Sequence, residues 1–198
     1  MTHQPTFTRA DPDDRRQSLI EATARILARK GAAGASVRAI CAEAGVSPGL
    51  LRHYFAGVAE AIAETYRWIG RQIDDALARA VDSAGIDPRA RLVAYLSASF
   101  RPPIASGELL ASYVALWSMT RANPAIAAIR AEVYGNYRHG LERLLRAYRP
   151  QMPDPGMTAI ILTALIDGLW LELSLGNAPL DESEAQAIIE SKLDNFLA

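Results

Sequence analysis

The stretch AEAGVSPGLLRHYFAGV, residues 42–58, decides how the chain is read. Gly45 is a natural stop for a helix, because it alone among residues enters the left-handed region without cost. Ser47 suits the N-cap of a new helix, and Pro48 fits its first position, where the missing N–H is not needed. Upstream, Ser36 caps a run VRAICAEA that ends at Gly45. Two helices of about two turns each, joined at Gly45-Val46-Ser47, have the spacing of a helix-turn-helix. Val37, Ile40, Cys41, Val46, Leu51 and Phe55 supply the apolar contacts that lock the pair.

With those residues turned inward, the other face of the second short helix carries groups suited to a DNA surface. Ser47 is both a cap and a phosphate donor, and Gly49 lets the backbone approach base edges. Leu50 can meet a thymine methyl, while Arg52, His53 and Tyr54 reach phosphates or bases. Ser36, Arg38 and Pro48 complete the expected DNA-binding set. The alternative is a three-helix packing unit with no partner, in which Phe55 and Cys41 are core in either case.

Working outward, the chain reads as helices separated by Gly, Pro and Asn, without strand signals. A tail over 1–12 leads into a first helix near 13–31, ended by Gly31 and Gly34. A long helix spans about 57–83, and others are expected near 87–104, 107–121, 124–148, 155–176 and 182–197. Asp181 and Glu184 have capping-box spacing for the last of these. The expected fold is all-α with about nine helices: a DNA-binding domain over 13–56, then a ligand-binding and dimerisation domain over 57–198.

Net charge is -1, which excludes a polybasic nucleic-acid binder. Residues 1–55 nevertheless hold eight Lys/Arg against five Asp/Glu, so any anion-binding surface belongs to the N-terminal end. Arg9, Arg15 and Arg16 could form a minor-groove arm, but Asp11, Asp13 and Asp14 dilute their charge and favour a solvated tail. The single cysteine, Cys41, excludes an intramolecular disulfide and fits a reducing cytoplasmic setting. TAIILTALIDGLWLELSL is long enough to cross a bilayer, yet Asp167 and Glu172 within it favour a buried bundle or interface helix over a membrane span. With histidine only at 3, 53 and 139 and no catalytic motif, no enzyme activity, catalytic residue, metal or cofactor is expected.

The second domain is expected to bind a small molecule. Tyr113 and Trp117 lie four apart on one helix, Tyr134 and Tyr137 on another. Thr163, Asp167, Trp170 and Ser174 make a mixed polar and aromatic stripe at helical spacing. Rings with a carboxylate attract a cation, quaternary ammonium above all. The alternative is that the rings are core and Asp167 bonds a neighbouring helix. The last two helices carry more apolar surface than one bundle absorbs, which points to a homodimer.

SVRAICAEAGVSPGLLRHYF resembles the DNA-binding signature of the TetR family of bacterial transcriptional repressors, including the aromatic pair Tyr54-Phe55 and the KGAAGAS ending of the first helix. The likeness extends over 13–62. DGLW followed by APLD and a last amphipathic helix is similar to the C-terminal pattern of the choline-responsive betaine-pathway repressors in that family. Two departures stand out: Val58 occupies the place of a phosphate-binding lysine, and Arg52 and Pro48 stand where tyrosine and a polar or basic residue are common. The resemblance implies a homodimeric repressor that binds a palindromic double-stranded operator and releases it on binding a cationic or aromatic effector. A dimeric sensor or interaction module with weakened DNA binding is the alternative.

Overall fold

The computed structural model describes residues 12–175 and 180–196. Arg9, Asp11, most of the expected tail and the GNAP linker at 176–179 lie outside them. The described residues form nine helices and no strand: α1 (Pro12–Gly34), α2 (Val37–Ala44), α3 (Pro48–Tyr54), α4 (Val58–Ser83), α5 (Pro88–Ala98), α6 (Gly107–Thr120), α7 (Pro124–Tyr148), α8 (Pro155–Ser174) and α9 (Glu182–Phe196).

Local chemistry sets most of these boundaries. Asp87, Asn123 and Asp154 each accept hydrogen bonds from first-turn amides, and each precedes a proline at the first helical position. Ser106 caps α6 through the Leu109 amide at 3.3 Å. The capping box of α9 is reciprocal: the Glu184 N–H donates to Asp181 Oδ1 at 2.9 Å, and the Asp181 N–H donates to Glu184 Oε2 at 2.8 Å.

Three expectations change. At Gly31, with φ of 64°, the chain leaves helical geometry before one further turn runs to Gly34. The fifth helix stops at Ala98 rather than 104, because Pro102-Pro103 cannot supply the amides a longer helix needs. Arg15 and Arg16 lie within α1, neither in a solvated tail nor in an arm, and Arg16 pairs with Glu64 of α4 at 2.5 Å.

Two hydrophobic clusters organise the bundle. The smaller joins Leu19, Ile20 and Ala22 of α1 to Ile40, Cys41, Leu51, Phe55 and Ala61, and so holds the helix-turn-helix together. Cys41 is buried there, and that burial raises its thiol pKa. The larger runs through α4 to α9 and also takes Ala24 and Leu27 from the other end of α1. Helix α1 is therefore shared between both. Val58, at the start of α4, packs against both clusters as well.

Helix α8 has the length and composition of a membrane span, but it packs within the bundle against α6, α7 and α9. Its outer face is apolar, with Met157, Ile160, Ile161, Leu171 and Leu175 all exposed. Among the described side chains of α9, the exposed ones are Glu182, Ser183, Glu184, Ala187, Ser191 and Lys192, while Ala185, Ile189 and Leu193 face inward. The exposed apolar stripe therefore belongs to α8 rather than equally to both terminal helices.

Candidate functional site

The N-terminal site is built around the turn between α2 and α3. Gly45 takes φ of 66°, and Val46 N–H returns to the Cys41 carbonyl at 2.9 Å, which reverses the chain in three residues. Ser36 Oγ accepts from the Ala39 amide at 3.2 Å and fixes the start of α2. Ser47 holds the N-cap position of α3, but its hydroxyl makes no cap bond. The Leu50 amide that it would have served donates to the Ser47 carbonyl instead, at 3.0 Å. The hydroxyl thus stays available at the head of the helix.

Leu51 and Phe55 point into the core, and Ser36, Arg38, Ser47, Pro48, Gly49, Arg52 and His53 are exposed on the other side. Leu50 and Tyr54 are half-buried. His53 and Tyr54 meet edge to face, with ring centroids 4.9 Å apart. A side chain built on Gly49 would meet only Ser47 Oγ, at 3.8 Å, so the space above the glycine is open.

The basic excess of this region is partly neutralised internally. Arg25 and Arg29 both pair with Glu43, and Arg16 with Glu64, while its guanidinium lies 5.3 Å from the Phe55 ring centroid. Arg38 and Arg52 keep no acidic partner among the described residues. They, rather than Arg16, Arg25 and Arg29 of α1, are the charges this surface offers.

The second site is a cavity enclosed by α4, α7 and α8 with one wall from α6. Tyr113, Tyr134, Tyr137, Asp167 and Trp170 line it, together with Ile73, Asp74, Ser99, Val133, Thr163 and Ile166. Trp117 does not line it. It stands one ring back, edge to face with Tyr113 at 5.5 Å. Tyr113 is likewise perpendicular to Trp170 at 5.4 Å. Trp170 Nε1 donates to the Ser99 carbonyl at 2.8 Å, using an oxygen freed where α5 ends. Tyr137 Oη lies 3.3 Å from Ser99 Oγ, and Tyr95 Oη donates to the Tyr137 carbonyl at 2.8 Å.

Two carboxylates, Asp74 and Asp167, line this cavity, and Asp167 is the one bonded to a phenol. Tyr134 donates its hydroxyl to Asp167 Oδ1 at 3.1 Å. Burial pushes the Asp167 pKa up to about 6, against the lowering effect of Tyr134, Arg130 and Arg138. Burial also raises Tyr113, Tyr134 and Tyr137, so all three phenols are protonated at neutral pH. The free space at the centre is about 30 Å³, room for a water or two. A ligand of even five or six heavy atoms must therefore push the rings, and the helices carrying them, apart. A wider groove of about 940 Å³ lies between α4, α5 and α7, but it is open and carries no cage of rings.

Sequence reasoning missed Asp74, Ser99, Val133, Arg130 and Arg138. Arg130, Tyr134 and Arg138 recur at steps of four on α7, a signal that was present. Ser99 had none, because its role depends on where α5 breaks.

Both sites are physically joined. Ser112, beside Tyr113, donates to the Ala24 carbonyl of α1 at 3.1 Å. The Thr65 hydroxyl of α4 lies 2.8 Å from the Ala61 carbonyl of its own helix and 3.3 Å from the Ile20 carbonyl of α1, so its one proton is shared between them, two helical turns before the cavity residues Ile73 and Asp74.

A helix-turn-helix tied in this way to a closed cavity of rings and carboxylates is the architecture of a ligand-responsive DNA-binding regulator. Residues 19–61 match the bacterial regulatory proteins of the tetR family, and residues 88–198 match the BetI-type transcriptional repressor C-terminal domain. The HTH-type transcriptional regulator BetI of Paraburkholderia phytofirmans is 31% identical over 186 residues, 93% of this chain and 94% of that protein. A transcriptional regulator from Pseudomonas aeruginosa PAO1 superposes with a TM-score of 0.86 at 37% identity, over 98% of this chain and 96% of that one. A regulator from Saccharomonospora viridis, solved in complex with choline, shares the fold at 21% identity, with a TM-score of 0.79 over 92% of this chain and 96% of its own. The chain belongs to the TetR family and carries a BetI-type C-terminal domain. It is a transcriptional regulator and not an enzyme, of a family whose members bind DNA operators as dimers and answer to small-molecule effectors.

Proposed function

We propose that this chain is a cytoplasmic homodimeric repressor whose α3 helices enter the major grooves of a palindromic operator, and that a small quaternary ammonium compound releases it. The DNA-binding unit is residues 13–56 and the regulatory unit 57–198. Ser36, Arg38, Ser47, Pro48, Gly49, Leu50, Arg52, His53 and Tyr54 form the contact surface, with Arg38 and Arg52 as its charges. The effector's cationic head lies among Tyr113, Tyr134, Tyr137 and Trp170, with Asp167 as counter-ion. The choline complex of the Saccharomonospora viridis relative is in keeping with that class. The exposed apolar stripe of α8 seats the second copy.

The observation that carries the reading is the tight Asp167 cavity, whose α4 and α6 walls are hydrogen-bonded to α1. A ligand that spreads those walls must disturb α1 and, with it, the separation of the two reading heads. It acts only by binding the released state more tightly than the DNA-bound one. Footprinting on the DNA upstream of the chain's own gene should show two protected half-sites about one helical turn or more apart, lost on adding choline. Val58, packed between both clusters instead of offering a lysine charge, favours a second reading in which DNA binding is weak. A dimer with no mobility shift at low salt would establish that alternative.

A further inference from the structure

The aromatic cavity and the wide groove between α4, α5 and α7 share a wall. Asp74 of α4 lines both of them and is half-buried. It acts electrostatically on Tyr95 on the groove side and on Tyr113 on the cavity side. The rest of this partition is a pair of rings. Tyr95 lines the groove, Tyr137 lines the cavity, and their centroids are 5.2 Å apart. The Tyr95 hydroxyl donates to the Tyr137 carbonyl at 2.8 Å and lies against Gly140, where a Cβ would come within 2.8 Å of the same oxygen. Glycine there lets the pair close.

The two carboxylates of the cavity differ in their surroundings. Tyr134 bonds to Asp167, and Arg130 and Arg138 offset its charge. Asp74 makes no hydrogen bond or ion pair among the described residues, and burial and the neighbouring Asp75 both push its pKa up. A carboxylate withdrawn from water without a partner is costly, and a cation would relieve it. Asp74, Ala78 and Asp82 recur at steps of four, so they form one line along the α4 wall of the groove. The cations of the groove belong to its other walls. Arg146 of α7 pairs with Glu142 at 2.7 Å, Arg91 of α5 donates to the Val81 and Gly85 carbonyls, and His139 and Arg143 stand on α7.

We propose that this groove is the entrance by which a cationic effector reaches the cavity, and that Asp74 takes the cation at the mouth and passes it between the rings to Asp167. The cavity itself holds about 30 Å³, so the wall must open, and the Tyr95–Tyr137 partition is the part that does. The inference rests on the effector reading of the cavity and adds a route and a second carboxylate to it. The two acids then act at different times. Asp74 meets the cation during passage, whereas Asp167 meets it only afterwards.

Stopped-flow mixing of the full-length protein with tetramethylammonium, followed by the fluorescence of the cavity residue Trp170, tests this order. A contact made during passage acts on association, and one made afterwards acts on dissociation. Asp74→Asn should slow association about tenfold and change dissociation by less than about twofold. Asp167→Asn should do the reverse, speeding dissociation about tenfold. Ala78→Phe narrows the groove at an exposed position one turn from Asp74. It should slow both rates by the same factor, at least about threefold, and leave Kd unchanged, whereas a general disturbance of the fold would move Kd. Unaltered rates in Ala78→Phe, or an Asp74→Asn effect confined to dissociation, overturns the entrance while leaving the cation site standing. A wild type that does not bind the probe overturns both.

Discussion

The Ser112 hydroxyl donates to the carbonyl oxygen of Ala24 at 3.1 Å, and so ties the residue next to the cavity wall Tyr113 to the first helix of the DNA-reading head. The same hydroxyl reaches the Glu108 carbonyl at 2.9 Å, so it has a second position within α6 when α1 moves. The bond is an interhelical link with an alternative, which suits an element that changes state.

Ser112→Ala should therefore separate binding from release. Operator affinity and effector affinity each stay within about threefold of wild type, because neither ligand touches Ser112. The factor by which effector weakens operator binding falls about fivefold, the worth of one modest hydrogen bond. Operator dissociation constants measured with and without saturating choline give that factor directly.

Two substitutions at the reading head should act in opposite directions on salt dependence. Arg52→Ala removes an exposed charge, and should weaken operator binding about tenfold and lower the slope of log affinity against log salt by about one. Val58→Lys restores a phosphate contact and should raise that slope by about one. Because Val58 packs on both clusters, the variant should also lose about 1 kcal/mol of stability, read from chemical denaturation. Unchanged slopes in both would place these residues away from the phosphates.

How much of this was legible in the sequence follows from how local each feature is. The Asp181–Glu184 capping box, the Asx-Pro starts of α5, α7 and α8, and the stop at Gly45 depend on residues within one turn of each other, and each could be read directly. Ser47 looked like a capping side chain because composition cannot show that a carbonyl has already taken the amide. Tyr113, Tyr134, Tyr137, Asp167 and Trp170 were recognisable as a mixed polar and aromatic set, but Trp117 was grouped with them on helical spacing alone. Its ring turns toward Tyr66 instead, a residue 51 positions away that no periodicity links to it. Engagement of Arg16, Arg25 and Arg29 by Glu64 and Glu43 was likewise invisible in a count of charges.

Asp167 should give both stability and effector binding a pH dependence. Its folded pKa, raised to about 6 by burial, exceeds that of an ordinary unfolded carboxylate near 4, so the folded state holds the proton more tightly. The contribution to stability is fully present below about pH 4 and is lost as pH rises through about 6. Asp167→Asn should accordingly raise the melting temperature at pH 7.5, by an amount equivalent to roughly 2 kcal/mol, and change it little at pH 4. Effector binding has the opposite preference, since the cation needs the carboxylate. Tetramethylammonium affinity should drop about tenfold between pH 7.5 and pH 5 in the wild type. A flat profile would remove Asp167 from the cation site.

The α8 stripe makes a prediction about assembly. Leu171→Glu places a charge in the middle of the exposed apolar face without disturbing the buried one. Sedimentation should change from dimer to monomer at micromolar concentration, and operator affinity should fall by more than a hundredfold, because one head alone cannot span two half-sites. A variant that stays dimeric would move the interface elsewhere.

The measurement that tests the central claim most directly is thermodynamic reciprocity between the two sites. Operator affinity is determined across a choline titration, and choline affinity is determined with and without saturating operator. Coupling through α1, α4 and α6 predicts that each ligand weakens the other by the same factor, of at least about fivefold. Operator affinity that stays constant while choline saturates the cavity would contradict the account.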